Sequence, residues 1–440
     1  MRSLNVSSNG HPVGVLRDEN NIWQFQYDPQ WVSDRSAFDL SPHLKRTDAP
    51  IIDGATERPV QWFFDNLLPE EEMRTALSKE AKISHEDAFG LLEYLGKESA
   101  GSLVLQPPDT QPAPAPGAQE LTDAELSERI KNLPVATLNS KAPKRMSVAG
   151  AQHKLLVIYA DGKLYEPVGA TPSTHLLKPN HPKPDEYPSS VINEYAMMKL
   201  ADRLNLTVPK VYRHYCPEPV YIVERFDRVT HGETPANAAQ TERLQLIDTC
   251  QLLNKSRSFK YTAATIGTLN QVLKSVRQTG PTRRPLYLWL IFNLLIGNND
   301  NHIKNISYLI DAEGVKLAPF YDLLSTASYL TKGYAKVDGG AWPQVDLAIP
   351  LPSQPRFADV TRQELLKAGV ALGLKLPICE RDLDWMLKNI GPSLERLIAE
   401  IEAENTTLPP ECHPYLGGEM RLLRTIRYVV VAEMVARLST

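Results

Sequence analysis

At 440 residues, of which 42% are hydrophobic, the chain has the length for two or three domains and enough apolar side chains to bury a large core. A net charge of −4 excludes a global basic field for nucleic acid, so any DNA contact has to be local. Four cysteines, at positions 216, 250, 379 and 412, sit far apart with no CxxC pair, which argues against disulfides and zinc and for a reducing, cytoplasmic compartment.

In chain order, residues 1–10 lack the apolar stretch of a secretory signal. Residues 11–16 and 23–27 read as strands, the second with cleanly alternating apolar positions, and the polar 17–21 reads as the hairpin loop between them. Residues 62–69 and 89–96 read as short helices on that sheet, so 1–105 makes a small α+β module. Proline recurs through 106–118, where it removes backbone donors and fixes φ, and this stretch reads as a linker or exposed loop. Thr122 and Glu125 form a capping box that opens a short helix. Strands at 155–160, 164–166, 175–178 and 220–226, a turn at Asp161-Gly162 and one helix over 190–204 make 119–228 a nucleotide-binding α/β lobe. From about residue 241 the pattern is helical, including 361–372, 381–403 and 417–438, so 229–440 reads as a helical catalytic lobe. The expected fold class is α+β, with an N-terminal α/β region and a C-terminal all-α region. The longest apolar run, 286–296, is interrupted by Asn293 and falls short of the about 20 residues a membrane span needs, so no membrane association is expected.

Residues 297–305, Gly-Asn-Asn-Asp-Asn-His-Ile-Lys-Asn, followed by Pro-Phe-Tyr-Asp at 319–322, carry the chemistry. Phosphoryl transfer to a hydroxyl needs an Asp to accept the hydroxyl proton, an Asn five positions later to hold metal, and a second Asp downstream at the nucleotide phosphates. Asp300, Asn305 and Asp322 meet that order, with His302 and Lys304 between them as further candidates for nucleotide contact. The apolar run before Gly297 supplies a rigid exit, and a hairpin over 306–317 would bring Asp322 back toward Asp300 and Asn305. An ordinary surface loop also gathers Asn, Asp and Gly, but it has no need of an acid at the end of the next hairpin.

On the nucleotide side, Ser147, Val148, Ala149, Gly150, Ala151, Gln152, His153 and Lys154 form a small-residue turn before a strand, whose amides could cradle phosphates. Lys178 ends a strand as a phosphate-binding lysine would, and Glu194 on the following helix could pair with it. Glu224 and Phe226 leave a strand where a kinase hinge offers adenine contacts. Alone, each of these is also an ordinary strand end or helix face.

Together these blocks, with 13–16 and 63–69, resemble the HipA family of serine/threonine-protein kinase toxins from bacterial toxin-antitoxin pairs, over nearly the whole chain. The resemblance implies a distantly protein-kinase-like, two-lobe fold and a kinase that uses ATP and Mg2+. In that reading Asp300 is the catalytic base, Asn305 and Asp322 are magnesium ligands, Lys178 meets the ATP phosphates, and Glu224 with Phe226 meets adenine. It also implies autophosphorylation at Ser147. The implied partners are a helix-turn-helix, HipB-like antitoxin, operator DNA bound mainly through that antitoxin, and a protein substrate whose family class is aminoacyl-tRNA synthetase. The alternatives are a catalytically idle co-repressor that keeps the fold, or a small-molecule kinase. Arg421, Arg424 and Arg427 on the last helix could add DNA phosphate contacts, although a solvated helix face explains them as well. The proline-rich insert is not part of the motif set that carries the resemblance, and His153 stands at a variable place in it.

Overall fold

The computed structural model describes residues 1–110, 114–144, 146, 150, 152–230, 238, 240–336, 339–352 and 354–439. Contacts divide the chain into two compact units, Met1–Lys178 with Glu224–Phe259 and Ser307–Ala318, and Pro179–Val223 with Lys260–Ile306 and Pro319–Thr440.

The first unit opens with an antiparallel sheet in the order Ile51–Ile52, Ile22–Tyr27, His11–Glu19, Arg2–Ser8, Leu103–Gln106. Its inward side chains Leu4, Val6, Leu16, Trp23, Phe25 and Tyr27 are buried. Phe64 on the helix Pro59–Asp65 and Phe89 on the helix Ala88–Leu95 pack on their rings, with Trp23 and Phe89 edge to face at 5.2 Å. The strand Arg2–Ser8 escaped the sequence reading, as did the helix Glu71–Ala81. The hairpin loop expected over 17–21 shrinks to Asn20-Asn21, whose φ of +53° and +64° suit a two-residue turn; Asp18 stays in the strand because its carboxylate accepts Arg2.

A second antiparallel sheet of this unit runs Gly117–Leu121, Lys163–Val168, Leu155–Ala160, His175–Pro179, with the expected turn at Asp161-Gly162. The capping box forms as expected: Thr122 Oγ1 accepts from Glu125 N and the Glu125 carboxylate accepts from Thr122 N, at the head of the helix Asp123–Lys131. A third sheet joins Gln245–Asp248, Ser307–Asp311 and Gly314–Leu317; Asp311 caps the turn of the last two through Glu313 N and Gly314 N, so the expected hairpin is present.

The second unit begins with the helix Ser190–Arg203 and a hairpin of Val211–Tyr215 with Pro219–Glu224. The latter strand stops at Glu224, short of the expected 226, because Arg225 turns into a buried ion network of the first unit and draws the chain out of the ladder. Helices dominate the rest, including Thr279–Leu295, Arg362–Ala371 and the long Leu376–Asn405, whose Leu383, Met386, Leu387, Ile390, Leu394, Leu397 and Ile401 are buried at helical spacing. The helix expected over 417–438 is three segments: His413–Thr425, a π-helical turn Ile426–Val431, and Ala432–Ser439. Among the described residues, no helix is long and apolar enough to cross a membrane.

Candidate active site

The helix Thr279–Leu295 buries nearly every side chain from Leu286 onward, including Asn293, which is 0% exposed. Asn293 Nδ2 donates to Trp289 O, its Oδ1 accepts from Asn298 Nδ2 at 2.7 Å, and its backbone carbonyl accepts from Asn298 N. Asn298 Oδ1 in turn accepts from Asp300 N at 3.0 Å. The polar interruption of an apolar helix therefore anchors the loop that carries Asp300. Between them Gly297 has φ +66°, and a Cβ there would lie 2.6 Å from Val430 Cγ1 of the π-helical turn, so both backbone and space require glycine. Replacing Asn293 by Leu should leave the helix intact and lower phosphoryl transfer by up to about 100-fold, since a misplacement of about 1 Å costs that much; rates beside circular dichroism check it.

Past Asp300 the chain makes a 3-10 turn, Ile303–Asn305. Asn305 Nδ2 and His302 N both donate to Asp300 O, at 3.0 and 2.8 Å, and Tyr321 OH donates to Lys304 O at 2.9 Å. The last contact ties the segment carrying Asp322 to the loop. That segment is fixed on both sides. Phe320 stacks on Trp289 and its N–H bonds Thr207 O, while buried Asn193 of the helix Ser190–Arg203 accepts from Ser325 N and donates to Ser325 O and Tyr329 OH. Held so, Asp322 keeps a left-handed φ of +58°, a conformation that surrounding bonds must impose on a non-glycine residue. Asp300, Asn305 and Asp322 thus fall in one unit, and the Asp322 charge is among the influences that raise the Asp300 pKa.

Asp300 is half-buried, and Tyr261 OH donates to its Oδ1. Burial raises the carboxyl's pKa and the Asp322 charge adds to this, while His302, the Tyr261 hydrogen bond and Lys260 pull it down. Asn305 spends its amide N–H on the Asp300 carbonyl, which leaves its carboxamide oxygen as a hard donor, and Asp322 supplies carboxylate oxygens; this set fits magnesium, which takes one or two protein oxygens plus substrate phosphates. Among the described residues, no group of three or more His, Cys, Asp or Glu side chains is gathered as a metal site.

His302 and Lys304 are buried in the same loop, while Lys178, Glu224, Phe226 and the small-residue turn belong to the first unit. Lys178 lies half-buried in the strand His175–Pro179, Glu224 is half-buried at its own strand end, and Phe226 is half-buried just beyond. Of the small-residue turn, Gly150, Gln152, His153 and Lys154 are described, whereas Ser147, Val148, Ala149 and Ala151 fall outside the described residues. Gly150 has φ +113°, its carbonyl accepts from Glu70 N, and a Cβ on it would meet the Lys154 ammonium at 2.5 Å. Burial lowers the His153 pKa. Glu194 is buried on the helix Ser190–Arg203 of the second unit. The helix arginines are engaged within their own unit: Arg421 with Gly333 O and the Tyr334 ring, Arg424 with Glu402, Arg427 with Glu395.

Sequence reasoning missed Asn193, Tyr321 and Tyr261. Asn293 was visible as a polar break in an apolar run, a signal of a buried hydrogen-bonded anchor. Tyr261 had no signal, because nothing local in 257–263 marks a partner far along the chain.

An acid on a loop anchored from a buried helix, an amide that bonds that acid's carbonyl, and a second acid in a left-handed turn stand in the chain order expected of a kinase catalytic loop. Comparison with known proteins gives the family. The HipA N-terminal domain model matches residues 4–106 and the HipA-like C-terminal domain model matches residues 146–371. Y4mE of Sinorhizobium fredii, named as a candidate kinase, is 33% identical over 341 residues, 75% of this chain and 78% of its own length. The serine/threonine-protein kinase toxin HipA of Shewanella oneidensis is 29% identical over 326 residues, 69% of this chain and 70% of that one. A solved structure of Shewanella oneidensis HipA with HipB and operator DNA superimposes with a TM-score of 0.75 at 23% identity, covering 98% of this chain and 99% of that chain. The chain belongs to the HipA family of serine/threonine-protein kinase toxins.

Proposed function

We propose that this protein is an ATP- and magnesium-dependent serine/threonine-protein kinase that acts as the toxin of a toxin-antitoxin pair. The observation that carries the reading is the bonding of Asn305 to the Asp300 carbonyl within one loop, to which Tyr321, the chain neighbour of Asp322, is tied through Lys304 O in the same unit. Asp300 orients the acceptor hydroxyl and takes its proton. Asn305 and Asp322 would hold magnesium, which when bound offsets charge on the transferring phosphoryl group. Lys178, His302, Lys304 and the loop 147–154 bind the nucleotide phosphates, while Glu224 and Phe226 select adenine. Positioning and electrostatics supply the catalysis, since a loose phosphoryl transition state asks for little covalent help.

The target is a serine or threonine of a cytoplasmic protein, with an aminoacyl-tRNA synthetase as the class to try first; its loss would stall translation and growth. The antitoxin is a small helix-turn-helix protein of the HipB type. Operator DNA is bound mainly through it, in keeping with the chain's net charge of −4 and with the intramolecular pairing of Arg421, Arg424 and Arg427. Support for these partners comes from the Shewanella oneidensis HipA structure, which contains HipB and operator DNA.

Incubation with labelled ATP and magnesium tests the reading: label on protein is expected, turnover without protein label would favour a small-molecule kinase, and no turnover an idle scaffold. Phosphate on Ser147 would add roughly −1.5 to −2 charge beside ATP phosphates and shut the enzyme off. Ser147→Glu is therefore expected to weaken ATP binding by about tenfold or more, corresponding to about 1.4 kcal/mol or more; calorimetric titration showing unchanged affinity would refute it.

A further inference from the structure

Tyr261 is 45% exposed, yet its hydroxyl donates to Oδ1 of Asp300, the atom that a phosphoryl acceptor must reach. The ring is steered there from several sides. Its edge meets His302 at 4.9 Å between centroids, the Lys260 ammonium lies 5.2 Å from its centroid, and Lys260 O accepts from Ile303 N, which ties this segment to the catalytic loop. A structural tyrosine usually buries its ring; here the ring stays in solvent and the hydroxyl is the part held at the acid.

We propose that Tyr261 occupies the acceptor position and is itself a phosphorylation site, modified in cis. This rests on the reading of Asp300 as the base. The phenolic oxygen bonds to the γ-phosphorus of ATP as the bond from that phosphorus to the β,γ-bridging oxygen breaks; the phenol proton passes to Asp300 and ADP leaves. Holding acceptor and base in contact within one chain makes the step unimolecular in protein, which favours it over capture of an acceptor from solution. The product carries a dianionic phosphate beside Asp300 and Asp322, and like charges drive it out, so the modification clears the acceptor position for a protein hydroxyl.

The full-length chain is incubated with ATP and magnesium and its phosphopeptides are mapped by mass spectrometry, for the parent, Tyr261→Phe and Asp300→Asn. Phosphate on Tyr261 in the parent is expected, forming at a rate per molecule that does not change on dilution, and absent from both Tyr261→Phe and Asp300→Asn. Phosphate elsewhere in the parent with none on Tyr261 overturns this proposal and leaves the kinase reading standing. No phosphate anywhere, and no ADP formed, overturns both. A dilution-dependent rate overturns the claim that the transfer is in cis.

Discussion

Asp300→Asn should lower phosphoryl transfer by about 10²- to 10⁴-fold without loosening the fold, the usual contribution of a positioned general base. The substitution is nearly isosteric and keeps an oxygen for the Tyr261 hydroxyl. The bonds that hold the loop run through the Asp300 backbone, N–H to Asn298 and carbonyl to His302 and Asn305, and none depends on the carboxylate. The sign of the stability effect follows from burial. Because the folded state raises this pKa, it disfavours the charged form relative to the unfolded chain, so at neutral pH removing the charge leaves stability unchanged or higher. Initial rates with labelled ATP, read beside thermal unfolding, separate the two effects. Parental rates in the variant, or a melting temperature that falls with activity, would defeat the assignment.

The elements that sequence could reveal are those built from neighbours along the chain. The loop carrying Asp300 and Asn305 and the hairpin before Asp322 are local, and turn chemistry at Gly297 and Asp311–Gly314 is enough to infer their shape. The capping box at Thr122 and the Asp161-Gly162 turn were legible for the same reason. What stayed hidden is nonlocal. Asn193 grips Ser325 and Tyr261 grips Asp300, each across a separation that periodicity does not encode. Strand ends shifted where a tertiary contact overrode the pattern: Asp18 kept its strand going by accepting Arg2, and Arg225 ended another by turning toward Glu98. The last helix looked continuous because a π-helical turn leaves the apolar spacing almost intact, and its consequence, Val430 beneath Gly297, exists only in three dimensions.

Glu98→Ala is expected to be the most destabilising single change, by about 3–5 kcal/mol, because it strips a buried ion network of one of its two acids. Glu98 is 1% exposed and accepts from Lys144 Nζ at 2.7 Å, Arg225 Nη1 at 3.2 Å, Arg228 Nη2 at 3.3 Å and both N and Oγ of Ser173. Asp227 completes the set, bonding Arg225, Arg228 and Gly101 N. Without Glu98, one carboxylate faces the buried cations Lys144, Arg225 and Arg228. The damage falls on the residues proposed to bind nucleotide: Lys144 precedes the 147–154 loop, and Arg225 separates Glu224 from Phe226, so ATP affinity should fall as well. Burial alone would push the Glu98 carboxyl up, but Lys144, Arg228, Arg225 and Arg243 outweigh it and hold it well below its usual range; Asp227, likewise buried and overruled by Arg225 and Arg228, sits at about 2. Depressed folded pKa values make this a stabilisation that is complete above the ordinary carboxylate range of about 4 and fades as pH falls through it. The parent should therefore lose stability on acidification below about pH 4 more steeply than Glu98→Ala. Urea unfolding at neutral and acid pH measures both, and a variant within about 1 kcal/mol of the parent would show that the cations are hydrated rather than held by this acid.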